Sequence, residues 1–174
     1  MADLREQITA GENFLEKLMR KIPGFEGYKS REQSRNADKI QRTFIAKSLR
    51  TEKGRISDIG QAMTRSGNIM MLGELDRVTR LLEKVTDRIE HAEYGYSSLF
   101  SSTKVDVMQL DSLYEYDLGM LDDVSRITEG ITALEASMEM EDADPKGKLK
   151  NVERAIKDLD QKIDGRQKLL QGVE

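Results

Sequence analysis

The hydrophobic residues of this chain recur at alternating spacings of three and four, which places them on one side of an α-helix. The most regular stretch carries Met71, Leu75, Val78, Leu82, Val85 and Ile89. Charged residues of both signs surround these positions, as on the solvent-exposed face of a helix. Because no stretch shows the pattern of a strand, the sequence predicts an all-α protein with coiled-coil-like seams.

Turn signals divide this pattern into about five helical segments. Pro23 ends the first segment, Gly67 lies in the turn after the second, and Pro145 marks the clearest break in the chain. The predicted helices cover about residues 2–22, 30–64, 69–94, 103–140 and 148–171. Short connections force neighbouring helices to run in opposite directions, so we expect an elongated antiparallel bundle that forms a single domain over residues 1–174.

The stretch from Tyr94 to Ser102 leaves one alternative open. It contains one glycine and four serines, which have low helix propensity, and therefore predicts a turn or a sharp kink. The seam nevertheless keeps its phase across this stretch. Residues 69–140 thus form either one kinked rod or two helices.

Two acidic residues interrupt the seam of the segment over residues 103–140. Asp106 and Asp117 occupy seam positions whose neighbours in the seam are mostly apolar. A polar residue in a seam reduces stability but can fix the register of the helices and the choice of partner. These two side chains are therefore candidates for setting the register.

Composition narrows the class of protein. Hydrophobic residues make up 37% of the chain and charged residues 34%, which is typical of long helices with narrow apolar stripes. The absence of cysteine excludes disulfides and thiolate sites. No apolar run approaches the roughly 20 residues of a membrane-spanning helix, and the first residues are charged. We expect a cytoplasmic protein, with peripheral membrane association left open.

Charge is distributed unevenly along the chain. Residues 1–70 carry 14 basic and 9 acidic side chains, residues 86–145 carry 3 and 15, and residues 146–174 carry 8 and 5. Either these parts pack against one another with complementary potentials, or each part faces a different partner.

The chain offers little for catalysis. His91 is its one histidine, so a metal site with several imidazoles is excluded, and no nucleophile motif accompanies His91 to suggest a catalytic triad. Phosphate-binding loops and nucleophile elbows do not occur. The carboxylates between Asp106 and Asp123 are spread around a helix rather than gathered by a loop. We therefore predict no enzymatic activity, no cofactor and no metal.

A row of basic residues follows the start of the segment over residues 30–64. Its members Arg31, Arg35, Lys39 and Arg42 lie three to four positions apart and so share one side of the helix. This row is a candidate for binding an anionic membrane surface. The acidic total charge favours the alternative, in which the row pairs within the fold or stays solvated. Nucleic acid is a poor candidate partner because no aromatic residues are interleaved for base stacking.

Aromatic residues are few but clustered. Phe25, Tyr28, Tyr94, Tyr96 and Phe100 lie in two predicted connections that could meet at one end of the bundle. As an aromatic plug they would cover the end of the bundle, and this is the use that we favour. As anchors of a docking patch they would bind a partner protein.

Two motifs in these connections are distinctive. They are Ile22-Pro23-Gly24-Phe25-Glu26-Gly27-Tyr28 and Tyr94-Gly95-Tyr96 with Leu99-Phe100. In these motifs the chain resembles an uncharacterised prokaryotic family of small all-helical proteins, with Phe25 where the family pattern has tyrosine and Ser101 where it has aspartate. The resemblance implies an all-helical fold and a shared surface, and it implies no activity.

These patterns favour a non-enzymatic helical interaction or scaffold protein that self-associates or binds a protein partner. The alternative is a peripheral binder of an anionic membrane surface that uses the basic row.

Overall fold

The computed structural model describes residues 16–17, 20–22, 31–67, 69–92, 107–140 and 144–171, and within these it leaves out the side chains of residues 31–38 and 107–111. Four helices result, α1 Arg31–Arg65, α2 Leu72–Glu90, α3 Val107–Met138 and α4 Pro145–Gln171. The described residues contain no strand, so the all-α prediction is confirmed. Residues 16–17 and 20–21 are helical, but the rest of the predicted helix over residues 2–22 lies outside the described residues. The described part thus has four helices instead of about five.

The helices pack as two hairpins, α1 with α2 and α3 with α4. Ion pairs from Arg50 to Glu90 and from Lys53 to Glu83 show that α1 and α2 run in opposite directions. The contact between α3 and α4 is the most extensive contact between described helices. Ion pairs from Asp117 to Arg166 and from Asp123 to Lys162 show that these two helices also run in opposite directions. The predicted antiparallel arrangement is therefore confirmed for the helices of each hairpin.

The two hairpins lie side by side in the same orientation. Gln41 and Glu52 of α1 contact Asp117 and Thr128 of α3, and both pairs are 76 positions apart in sequence. Arg77 of α2 contacts Glu153 of α4, and these two residues are also 76 positions apart in sequence. Consequently α1 is parallel to α3, and α2 is parallel to α4, so the contacts between hairpins are parallel.

The chain reverses its direction between α2 and α3. Because α2 is antiparallel to α1, while α3 is parallel to α1, α2 and α3 run in opposite directions. Residues 69–140 therefore form two helices, and the alternative of one kinked rod does not hold. Helix α2 ends at Glu90, earlier than the predicted end at residue 94.

The predicted seams form the core. In α2 the side chains of Leu75, Val78, Leu82, Val85 and Ile89 are all less than 5% exposed. One hydrophobic cluster contains residues of all four helices and also Ile22. Full burial of a side chain of this size stabilises the fold by about 1.5 to 3 kcal/mol, so these seams supply the main stabilising interaction.

Helix α4 begins at Pro145, three residues before its predicted start. The backbone N–H of Gly147 donates to Oδ1 of Asp144 at 2.8 Å, as expected of an N-terminal cap. Proline is well suited to the first position of a helix, where a backbone N–H would have no partner within the helix. Pro145 is thus a start signal for α4, although the sequence pattern placed it within the break.

Asp117 is fully buried in the seam of α3, and it pairs with a basic residue in the seam of α4. The Nε of Arg166 lies 2.7 Å from Oδ1 of Asp117, and the Arg166 side chain is only 6% exposed. Nε2 of Gln41 donates to the backbone carbonyl of Asp117 at 2.6 Å. Only one alignment of α3 with α4 places these two charges opposite each other, which gives Asp117 the predicted role in register.

The Asp117–Arg166 pair yields a stability prediction. Replacing Arg166→Leu removes the 2.7 Å contact of the Arg166 guanidinium from the buried carboxylate of Asp117 and is expected to reduce the free energy of unfolding by about 3 to 5 kcal/mol. Replacing both residues with leucine removes the buried charges together and should recover most of that loss. Urea denaturation measures both effects, and equal losses in the single and double variants would contradict this account.

Candidate functional site

The predicted basic row is not one free surface in the structure. Arg31 and Arg35 belong to α1, but their side chains lie outside the described residues. Lys39 is exposed. The Nη1 of Arg42 instead donates to the carbonyl oxygens of Ala92 at 2.8 Å and of Glu90 at 3.5 Å. Arg42 therefore holds the carboxyl end of α2, where a cation is favoured by the exposed carbonyl groups.

Other cations of α1 also pair inside the fold. Arg55 contacts Glu135 of α3 at 2.5 Å and Glu52 of its own helix at 2.9 Å. Lys21, which precedes α1, pairs with Asp122 of α3. These contacts match the predicted complementarity between the basic first part of the chain and its acidic middle part.

The outer side of α4 carries exposed basic residues that were not among the predicted candidates. Lys150, Arg154 and Lys168 are exposed and lie opposite the buried seam of α4. Within the described part of the chain, none of these three cations has an ion-pair partner. We call them the α4 basic face.

The contact between α2 and α4 is lined by ion pairs. The hydrogen bond from Lys157 lowers the pKa of Glu153, and Arg77 acts in the same direction at 2.8 Å. Burial raises the pKa of Asp160, but hydrogen bonds from Lys84 and Arg88 outweigh it, and the net shift is downward.

The aromatic candidates cannot be placed. Phe25, Tyr28, Tyr94, Tyr96 and Phe100 all lie outside the described residues, so their proposed use stays a prediction. Among the remaining tyrosines, Tyr116 is half-buried against α4 at Gly165. A Cβ atom at Gly165 would lie 2.7 to 2.8 Å from the Tyr116 ring and hydroxyl, so the missing side chain makes room for this tyrosine.

The end of the bundle that carries the two hairpin turns exposes large apolar side chains. Ile69 is 64% exposed, Met70 92% and Met140 68%. Ile69 and Met70 belong to the α1–α2 turn, whereas Met140 follows α3, and both turns lie at the same end because the hairpins share one orientation. We call these three residues the apolar tip.

The α1–α2 turn is held by its own backbone. Gly67 adopts a left-handed conformation with φ of 74°, which ends α1 and which other residues rarely adopt. The N–H of Ile69 donates to the carbonyl of Gly67 at 3.1 Å, and that of Leu72 donates to the carbonyl of Ile69 at 3.2 Å. Backbone hydrogen bonds thus join Gly67, Ile69 and Leu72 on either side of Met70.

An open groove of about 720 Å³ runs between α1 and α2 beside this turn. Ile56, Leu72 and Leu75 form its apolar floor, and the exposed side chains of Arg65 and Asp76 are on its rim. Small and polar residues line the rest, namely Ser57, Gly60, Gln61, Thr64, Gly73 and Thr79. We call it the tip groove.

The described residues show no group of three or more histidine, cysteine or carboxylate residues that could hold a metal. His91 is exposed, with Nδ1 2.9 Å from the carbonyl of Asp87. None of the described helices is both long enough and apolar enough to cross a membrane.

Comparison of the chain with protein-family models, with curated proteins and with solved structures gives no match. The resemblance carried by the two aromatic motifs therefore stays a prediction. The interpretation of the site rests on the geometry of the described residues.

Sequence reasoning missed both the apolar tip and the α4 basic face. The run Ile69-Met70-Met71-Leu72 was visible as the longest apolar run next to a turn signal, and its position in a turn was the signal for exposure. The sequence does not show which cations form ion pairs, so it gave no signal for the α4 basic face.

The lowered pKa of Asp160 predicts how stability depends on pH. Its contribution is fully present above the unfolded-state pKa of about 3.9 and is lost as the pH falls through the lower folded-state pKa. Asp160→Asn should therefore lower the free energy of unfolding at neutral pH by about 1 to 2 kcal/mol. Urea denaturation at several pH values should show this difference shrinking below about pH 4; a difference that is independent of pH would contradict the assignment.

Proposed function

We propose that this protein is a non-enzymatic helical interaction or scaffold protein. The observation that carries the proposal is the apolar tip, in which three large apolar side chains are exposed at one end of a bundle. A methionine that is 92% exposed adds little to the stability of the fold. Methionine is common at binding surfaces because its flexible thioether adapts to irregular partners.

The rest of the fold supports this role. Ion pairs join α1 to α2 and to α3, and others join α2 and α3 to α4. They fix the arrangement of the helices, and the longest helix, of 35 residues, extends about 50 Å at 1.5 Å per residue. A bundle of this length presents its tip well away from the opposite end, as a spacer or scaffold would.

The proposal is tested by affinity recovery and by measurement of mass. The tagged full chain is expected to associate with itself or to recover a partner from lysates of its own cells. The double variant Ile69→Ser, Met70→Ser should lose most of that association and keep its helical circular dichroism, since both side chains are exposed. A wild-type chain that stays monomeric and recovers no partner would sink the proposal.

A second candidate function is peripheral binding to an anionic membrane surface. Its support comes from the α4 basic face, whose three cations have no ion-pair partner within the described residues. Each basic residue near an anionic surface contributes about 1 kcal/mol to binding. The row at Arg31, Arg35, Lys39 and Arg42 has weaker support, because Arg42 is engaged with the end of α2.

Cosedimentation with phosphatidylserine vesicles at low salt tests this candidate. Reversal of the α4 basic face, with Lys150→Glu, Arg154→Glu and Lys168→Glu, should reduce binding by about a hundredfold or more, given about 1 kcal/mol for each cation. Reversal of Lys39 and Lys47, both exposed on α1, is the matched control for a double reversal of Lys150 and Arg154 and should have less effect than that double reversal. Wild-type protein that stays in the supernatant would rule this candidate out.

A further inference from the structure

The apolar tip and the tip groove form a knob and a hole on one surface. Met70 projects from the α1–α2 turn, and the groove begins beside it, between Arg65 at the end of α1 and Leu72 at the start of α2. Leu72 is half-buried on the apolar side of the groove, and Ile56 and Leu75 lie beneath it as core residues that are less than 5% exposed. An unbranched methionine side chain can fill an irregular apolar groove of this kind.

We propose that the occupant of the tip groove is a second copy of this chain, so that two copies associate through their α1–α2 turns. A two-fold axis requires a self-complementary surface, on which a contact from one copy to the other is matched by the reverse contact. A surface that holds a knob next to a hole meets this requirement, because Met70 of each copy can enter the groove of the other. This inference rests on the proposed function and names its partner.

Charge complementarity points to the same occupant. Arg65 and Asp76 both lie on the rim of the groove and are exposed, and they carry opposite signs. A two-fold axis that exchanges the grooves can set Arg65 of one copy against Asp76 of the other, twice per dimer. Asp76 already contacts Arg80 at 2.9 Å, but both side chains of that pair are exposed, so the pair contributes little to stability.

The size of the surface sets the expected strength. The contact consists of one turn and one groove per copy, and contacts smaller than the roughly 1,200 Å² of stable complexes are typically weak. The association should therefore be weak, with a dissociation constant on the order of micromolar or above. Sedimentation equilibrium of the full chain, from micromolar to several hundred micromolar protein, covers this range.

Two variants address the knob and the hole separately. Met70→Ser removes the knob, and Gly73→Gln fills the hole, since a Cβ at Gly73 meets no atom within 4 Å and the fold is not strained. Each should weaken association by about tenfold or more, which corresponds to about 1.4 kcal/mol. Gly54→Gln, in open space on α1 and outside the groove, is the matched control for Gly73→Gln and should change association by less than about twofold.

A charge-swap experiment tests the two-fold geometry. Arg65→Asp and Asp76→Arg should each weaken self-association, because each variant presents like charges across the axis. An equimolar mixture of the two variants restores opposite charges at both contacts, and it should form a heterodimer at least as readily as the wild-type chain forms a homodimer. Circular dichroism confirms that each variant is folded.

The results separate this inference from the proposed function. A chain that stays monomeric across the concentration range overturns the inference, as does association that Met70→Ser and Gly73→Gln leave unchanged or that Gly54→Gln weakens equally. In each of these cases, a protein partner recovered by the wild-type chain and lost with Ile69→Ser, Met70→Ser would still support an interaction protein. A monomeric chain without any such partner overturns both.

Discussion

Each helix of this protein has an apolar seam that covers only one side, and the burial of these seams against one another is the interaction on which the rest of the structure depends. With 37% hydrophobic and 34% charged residues, the chain has little apolar surface to spare. Four seams can be buried together only if every helix turns its seam toward one shared axis. The single cluster that includes all four helices is the result.

Apolar seams of similar spacing can pack against one another almost equally well, so apolar packing alone does not determine which helices become neighbours. The choice is made by polar contacts at their edges and by the few polar residues inside them. Asp117 with Arg166 aligns α3 with α4, and Arg55 with Glu135 joins α1 to α3. A buried charge without its partner strongly destabilises a fold, whereas an intact buried pair contributes little. A register that separates such a pair therefore lowers the free energy of unfolding by more than the correct pairing raises it.

This division of roles leaves the hairpin end free for function. Side chains along the helices are committed to the core or, in large part, to ion pairs between helices, whereas the turns need only reverse the chain. Ile69 and Met70 are not required by the turn, because its geometry depends on Gly67 and on backbone hydrogen bonds. Apolar residues at such positions stabilise the fold very little, and this is the reason for proposing that they contact a partner.

The sequence by itself determined the all-α class, the seams and, to within a few residues, the bounds of the four described helices, because spacing along a helix and turn chemistry are local properties. It also identified Asp117 as a polar seam residue, and Arg166 was open to the same argument, since it lies three positions after Ile163 in the α4 seam. Only the tertiary structure decided that the hairpins lie side by side in one orientation, that Arg42 holds the end of α2, and that the apolar tip borders a groove. These facts depend on which helices become neighbours, and seams of equal spacing leave that choice open until all of them are packed together.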